Sequence, residues 1–244
     1  MVNIKMIIEY DGSNYCGWQV QPNGMSVQRM IEEALFELTG EHIRIHGSGR
    51  TDAGVHATGQ TANFKTSSQI PPEAFSKALN QKLPNDISIV SSSEVPEEFH
   101  ARFSAKGKRY RYVIFTRDSR SPFHENRSYR TMKKPDVAKM ASAAVHFKGT
   151  HDFKGFMASG SNVEDTVRTI SDISVEEKGD VIEIKVYGNG FLYNMVRIIA
   201  GTLLECGYGK MEPEDIPSII NSGKRENAGP TLPSYGLFLD EVIY

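Results

Sequence analysis

The sequence predicts an α+β fold with mainly antiparallel sheets. Short apolar runs of strand length alternate with windows in which apolar residues recur at the helical period, and the second half carries a clear hairpin pattern. In the first half, Ile4–Tyr10 is an apolar run that suits a buried strand. Val27–Leu38 has apolar residues at 27, 30, 31, 34, 35 and 38, a helical spacing, and Ser26 stands before it as an N-cap. His42–His46 (HIRIH) alternates like a strand, and so does Thr58–Lys65. Pro71 and Pro72 open a second helix running to Leu83, because proline is tolerated in a first turn. Ile87–Val90 is the next strand. The resulting order, β-α-β-β-α-β, is that of a ferredoxin-like subdomain.

In the second half, Arg109–Thr116 reads as a strand and Pro135–Phe147 as a helix. Thr169–Val175 and Val181–Tyr187 form a hairpin whose turn lies within Glu176–Asp180. Leu192–Cys206 is a helix, Pro213–Asn221 a shorter one, and Leu237–Ile243 a closing strand. The halves echo each other in element order rather than in sequence. Pro96, Glu97 and Glu98 interrupt the apolar pattern, so the division falls within Val95–Phe103, with residues 1–100 as an N-terminal subdomain and 101–244 as a C-terminal one.

The 244 residues are 39% hydrophobic and 24% charged, enough apolar material for a full core. Cys16 and Cys206 are the only cysteines and make no CxxC, which fits a reducing cytosol and argues against a disulfide framework or a structural zinc site. The opening MVNIKMIIEYDG reaches Asp11 too soon for a secretory h-region, and no apolar run approaches the ~18 residues of a membrane span. The expectation is a cytoplasmic protein without a membrane segment.

A net charge of −2 hides an asymmetry. Arg102–Lys134 holds 11 basic residues against two acids, Asp118 and Glu125. Such a block either faces phosphate or forms a solvated surface. The rings inside it, Phe103, Tyr110, Tyr112, Phe115, Phe123 and Tyr129, favour the first reading, since unpaired bases stack on flat rings set between cations. Other chemistries lack their signatures. The Gly-Lys pairs at 107, 209 and 223 are followed by Arg, Met and Arg, so there is no phosphate-binding P-loop. GxGxxG, GxSxG and HExxH are missing too, and the seven histidines show no metal spacing.

What remains is a glycine-rich stretch, Gly47–Gln60 (GSGRTDAGVHATGQ), whose Asp52 is the one acid between His42 and Pro72. Two readings compete. Asp52 could shape a turn by bonding its own backbone. Alternatively, Arg50 keeps it ionised and it serves as a nucleophile. A retaining glycosidase also uses such a carboxylate but needs a second carboxyl as acid/base, and none is near in sequence. A lone aspartate suits a reaction at a glycosidic carbon in which no leaving group departs.

The motifs Tyr10-Asp11-Gly12, Gly17-Trp18-Gln19, Gly49-Arg50-Thr51-Asp52-Ala53-Gly54-Val55-His56, Leu79-Asn80, Phe99-His100-Ala101-Arg102-Phe103-Ser104-Ala105, Arg109-Tyr110-Arg111-Tyr112, His151-Asp152-Phe153, Arg168-Thr169-Ile170, Gly190-Phe191-Leu192, Met195-Val196-Arg197 and Ala228-Gly229-Pro230-Thr231 run nearly end to end. In that order the chain resembles the tRNA pseudouridine synthase A (TruA) family, with RTDAGVH the most specific match. Cys16 and Ser161 carry no argument. The resemblance implies an isomerase that converts uridine to pseudouridine at positions 38, 39 and 40 in the anticodon arm of tRNA. It implies Asp52 as the nucleophile, Tyr110 packing on the target base, Arg197 pairing with Asp52, and Arg50 helping to displace the target nucleotide. It further implies two similar subdomains around a central basic cleft, a homodimer, and no cofactor or metal.

The residues can be read beside that resemblance. A target base that leaves its stack costs a few kcal/mol, and a tyrosine face can return about 1–3 kcal/mol. Tyr110 suits that role, whereas Tyr112, on the same strand face, is open to a core role. Leu192, Met195, Val196, Ile199 and Leu203 form an apolar stripe. Arg197 lies off it with Tyr193, Ala200 and Gly201, either on a solvent face or facing a cleft. Trp18, the only tryptophan, reads as packing. A non-catalytic RNA-binding protein and a carboxylate glycosidase remain the alternatives.

Overall fold

The computed structural model describes residues 1–22, 24–160 and 163–244; Ser161 lies outside them. The fold is α+β, and the chain forms two compact units, Met1–Lys106 with Phe238–Tyr244, and Gly107–Leu237.

In the first unit β1 (Val2–Tyr10) lies between β3 (His56–Thr66) and β4 (Ile87–Val95), antiparallel to both. Its side chains at Ile4, Met6, Ile8 and Tyr10 alternate into the core, the period-2 burial expected of a strand covered on one face. The far edge of β3 is shared. β2 (His46–Gly47) pairs antiparallel with its Ala62–Asn63 end, and β10 (Leu237–Ile243) pairs parallel with its His56–Ala57 end. The last strand, read above with the second half, therefore completes the first unit's sheet.

Helix α1 (Val27–Thr39) starts where Ser26 accepts from the Arg29 N–H and ends at Gly40 with φ +73°, a glycine stop. It buries Val27, Ile31, Ala34 and Leu35. Only His46 of the expected strand His42–His46 enters the sheet. Ile45 instead gives its N–H to Glu32 Oε1 (3.0 Å) and accepts from Gln28 Nε2 (3.2 Å), both on α1. Ile43 and Ile45 are buried, so the alternation marks burial rather than ladder pairing. Helix α2 is shorter than expected, Ala74–Asn80, because Pro71–Ala74 forms a turn and Leu83 precedes Pro84. Asn80 bonds both the N–H and the carbonyl of Ile89, fixing α2 to β4, and Phe75 meets Phe64 of β3 edge-on.

The second unit has an antiparallel sheet in the order β5 (Gly107–Phe115), β9 (Val181–Gly188), β8 (Val167–Lys178) and β7 (Gly149–Asp152). The two-residue strand β6 (Tyr129–Arg130) runs parallel to the end of β5. The hairpin β8–β9 turns at Gly179, φ +63°. Three helices complete the unit: α3 (Val137–Ala144), α4 (Met195–Gly207) and α5 (Ile216–Ser222). Helix α4 is buried nearly all round. The Ala228–Thr231 stretch crosses it so closely that a Cβ at Gly201 would stand 1.9 Å from the Pro230 carbonyl oxygen, and one at Gly229 would stand 2.5 Å from Thr202 N. A mid-helix glycine is ordinarily unfavourable by about 1 kcal/mol, and this crossing is its reason. Gly201→Ala is expected to destabilise the protein by about 1–3 kcal/mol or more, read as a lower urea unfolding midpoint, although alanine is the better helix former.

Candidate active site

The stretch around Asp52 is anchored on both sides by groups of the first unit. Before it, the Ser48 N–H bonds Thr61 O (2.8 Å), and the Ser48 hydroxyl donates to Gln60 Oε1 (2.7 Å). Gln60 returns its Nε2–H to Gly49 O (3.0 Å), while its Oε1 also accepts from the Thr61 N–H (3.2 Å). Gln60 is wholly buried, so its amide had to find partners, and the loop supplies them. Thr51 shares a hydrogen bond with the Tyr10 hydroxyl (2.7 Å), and its carbonyl accepts from the Trp18 N–H (3.1 Å). Burial pushes the Tyr10 phenol well above its ordinary pKa, so it stays protonated as a neutral partner.

At Asp52 itself the chain turns. Its carbonyl accepts from the Val55 N–H (3.1 Å), and Gly54 at φ +77° takes the third turn position, while Ala53 before it keeps negative φ. That is the type II pattern. A main-chain hydrogen bond thus closes the turn. After the turn, Val55 is buried and His56 Nδ1 accepts from the Gly12 N–H (3.1 Å).

The N-terminal motifs form the floor beneath this loop. A Cβ at Gly12 would stand 2.0 Å from Val55 O, and one at Gly17, whose φ is +108°, would stand 2.5 Å from Thr51 O and 3.2 Å from the Asp52 carbonyl carbon. The Trp18 indole lies on Gly47, where a Cβ would be 2.4 Å from Nε1. Trp18 is buried, in keeping with its reading as a packing residue. Asp52 is half-buried at the turn, with exposed Ala53 beside it.

Arg50 differs from the expectation drawn from its position. It is exposed, and among the described residues it forms no ion pair, with Asp52 or with any other acid. It lies between the anchors at Gly49 and Thr51.

Tyr110 and Arg197 belong to the second unit. Tyr110 sits on β5 opposite Val186, 8% exposed, with Phe191 meeting it edge-on at 5.2 Å. Tyr112, two residues along, is fully buried and donates to Pro233 O (2.8 Å), so both tyrosines of the pair are buried. Arg197 on α4 is half-buried, and Ala200 and Gly201 on its side of the helix are buried beneath the Ala228–Thr231 crossing. The solvent-face reading fails there. The guanidinium donates from Nε to Leu232 O (2.6 Å) and from Nη1 to Asn194 Oδ1 (2.5 Å). Leu232 and Asn194 were not singled out from sequence, and Gly17 and Gln60 stood there only within the motif Gly17-Trp18-Gln19 and the stretch Gly47–Gln60. A positive-φ or close-approach glycine in Gly17-Trp18-Gln19 was the available clue for Gly17.

The basic block separates into kinds. Arg111 pairs with Glu183 (3.1 Å) and Lys134 with Glu177 (2.6 Å), and Arg120 and Lys133 are exposed. Of its rings, Phe103 (77%) and Phe123 (85%) are open to solvent, while Tyr112 and Phe115 are core. Arg102 lies over Phe103 at 5.6 Å. Among the described residues no group of three or more His, Cys, Asp or Glu side chains could hold a metal ion, and no helix is long and apolar enough to cross a membrane.

Residues 6–104 and 143–244 match the family model described as tRNA pseudouridine synthase. The chain belongs to the tRNA pseudouridine synthase family. It is 52% identical to a tRNA pseudouridine synthase A of Acetivibrio thermocellus over 244 residues, and 52% identical to one of Ruminiclostridium cellulolyticum over 245. A Clostridium botulinum protein of the same name is 50% identical over 244 residues, and in all three cases the alignment covers 100% of both chains. The family model passes over residues 105–142, so the greater part of the basic block falls between its two matched segments.

The floor beneath the loop can be tested directly. Gly17→Ala adds a methyl into the Thr51 carbonyl at a backbone conformation that alanine adopts only with strain, and is expected to cost about 1–3 kcal/mol. Urea unfolding of this variant is compared with Gly40→Ala, where φ is +73° and a Cβ would meet nothing within 4 Å, and the Gly17 variant is expected to lose the more stability.

Proposed function

We propose that this member of the tRNA pseudouridine synthase family isomerises uridine to pseudouridine at positions 38, 39 and 40 of the anticodon arm of tRNA, with Asp52 as the nucleophile. The observation that carries this reading is the loop itself. Asp52 stands at a turn closed by main-chain atoms, between anchors at Ser48–Thr51 and Val55–His56. A carboxylate presented in this way is placed in advance of the substrate, and placement in advance is where much of a catalytic advantage lies.

The reaction sets the requirements. The N1–C1′ bond breaks, a C5–C1′ bond forms, and a proton leaves C5 as N1 gains one. Atoms and electrons balance within one nucleoside, so no redox partner or metal is needed by the chemistry. Asp52 attacks the nucleoside, at C1′ or at C6 of the base, and the detached uracil must be gripped while it turns. In this reading Tyr110 packs on the target base, braced edge-on by Phe191. Arg197 pairs with Asp52, and the exposed Arg50 helps displace the target nucleotide. Two similar subdomains frame a basic cleft, the active form is a homodimer, and the enzyme works in the cytoplasm without a cofactor. Full-length relatives carrying the tRNA pseudouridine synthase A name support the substrate class.

Asp52→Asn nearly preserves shape and is expected to abolish pseudouridine formation while tRNA affinity persists. Mapping of modified positions in labelled tRNA checks it, and substantial turnover by the variant would remove Asp52 from the nucleophile's role. For RNA contact, Arg120→Ala and Lys133→Ala are each expected to weaken tRNA binding and to reduce the slope of log affinity against log salt by about 1. Arg111→Ala and Lys134→Ala, whose charges are already paired with Glu183 and Glu177, are expected to change that slope less.

A further inference from the structure

We infer that Asn194 is a positioning residue that fixes the guanidinium of Arg197 for the reaction. The inference rests on the reading above, in which Arg197 pairs with the nucleophile. Asn194 is one of two non-glycine residues with positive φ among the described residues, at φ +61°. It occupies the third position of the turn Leu192–Met195, closed by the Met195 N–H on Leu192 O (3.0 Å). A turn that demands a left-handed residue at this place is best served by glycine, with asparagine tolerated second. The backbone alone would therefore select glycine, so the side chain needs another reason.

The usual second reason fails. Asn194 is the residue preceding α4, where an asparagine would cap the helix, yet its side chain makes no capping bond. Its Oδ1 instead accepts from Arg197 Nη1 (2.5 Å). On the other side of the guanidinium, Nε donates to Leu232 O (2.6 Å). The segment carrying that carbonyl is itself tied down, because the buried Tyr112 hydroxyl donates to the neighbouring Pro233 O (2.8 Å). Two nitrogens of a planar group held from two directions set its plane and its reach. An arginine side chain left to itself has several rotatable bonds, and a guanidinium aimed wrongly cannot present its fork to a carboxylate. Asn194 is the one of these two holders that mutation can remove without touching the main chain.

The test compares wild type, Asn194→Gly, Arg197→Gln and the double variant in single-turnover pseudouridine formation with enzyme in excess, alongside tRNA affinity and urea unfolding. Asn194→Gly suits the turn and is expected to leave the unfolding midpoint and the affinity unchanged. Its single-turnover rate is expected to fall about ten- to a hundredfold, the scale of a misplaced catalytic group. In the Arg197→Gln background the same change is expected to have no further effect, because its target is gone. An undiminished rate in Asn194→Gly, or a loss that persists fully in the Arg197→Gln background, overturns the inference. A wild-type rate in Arg197→Gln overturns the role given to Arg197 itself, which is a separate outcome. Should Asn194→Gly lower the unfolding midpoint, Asn194→Asp decides, since it keeps an acceptor oxygen and tolerance for the left-handed conformation. A rate nearer wild type than that of the glycine variant supports positioning, and an equal loss overturns it.

Discussion

The first unit depends on main chain packed directly against main chain. Residues 12–18 lie so close beneath Thr51–Val55 that no side chain fits between them at Gly12 or Gly17. Loops are ordinarily mobile because few buried contacts hold them. Here a loop with little bulk of its own is made rigid by what lies under it. Trp18 shows the principle most plainly. Its N–H holds the Thr51 carbonyl while its indole covers Gly47, so one residue anchors both ends of the approach to Asp52. Gln60 does the same from the strand side, binding Ser48 and Gly49 at once. Each such bond is worth only about 1 kcal/mol net, but leaving a buried amide unmatched costs more, so the loop and Gln60 constrain each other.

The second unit solves a different problem, the placing of an arginine on a helix buried nearly all round. A guanidinium has five donors and no acceptor, and half-buried donors must be matched. The Ala228–Thr231 crossing closes the side of α4 that the sequence leaves apolar-poor, and the carbonyl that follows it, Leu232 O, takes one donor. The glycines at 201 and 229 are thus not a weakness in the helix but the condition for bringing that segment within reach.

Much of this was legible in the residues. The helical stripe and Ser26 located α1 within a residue, and the alternation of Ile4–Tyr10 gave β1 its inward face. HIRIH misled because period-2 burial has two causes. A strand in a ladder buries alternate residues, and so does an extended segment lying along a helix whose side chains take its backbone bonds. Distinguishing them needs the partner, which is distant in sequence. The strands β2, β6 and β7 were too short for any periodicity to show. Around the site, the glycines of the loop could be noticed, but their reasons could not. Gly17 is demanded by Thr51, and Gly201 by Pro230, each more than 25 residues away. Arg50 was paired with Asp52 on proximity in sequence alone. Proximity in sequence does not fix where a side chain lies, and Arg50 is exposed to solvent.

The basic block makes the same argument about charge. Counted along the chain, Arg102–Lys134 is strongly cationic, but charge in sequence is not charge at a surface. The hairpin β8–β9 brings Glu177 and Glu183 to Lys134 and Arg111, from some 43 and 72 residues away, and offsets part of the block. Exposed cations such as Arg120 and Lys133 lie in the segment between β5 and α3. The rings sort in the same way. Tyr112 and Phe115 belong to the core of the sheet, whereas Phe123 lies in the connection after β5 and stays exposed. This division follows from burial: the sheet takes Tyr110, Tyr112 and Phe115 into its core, and Phe123, in the connection beyond the strand, is left to solvent.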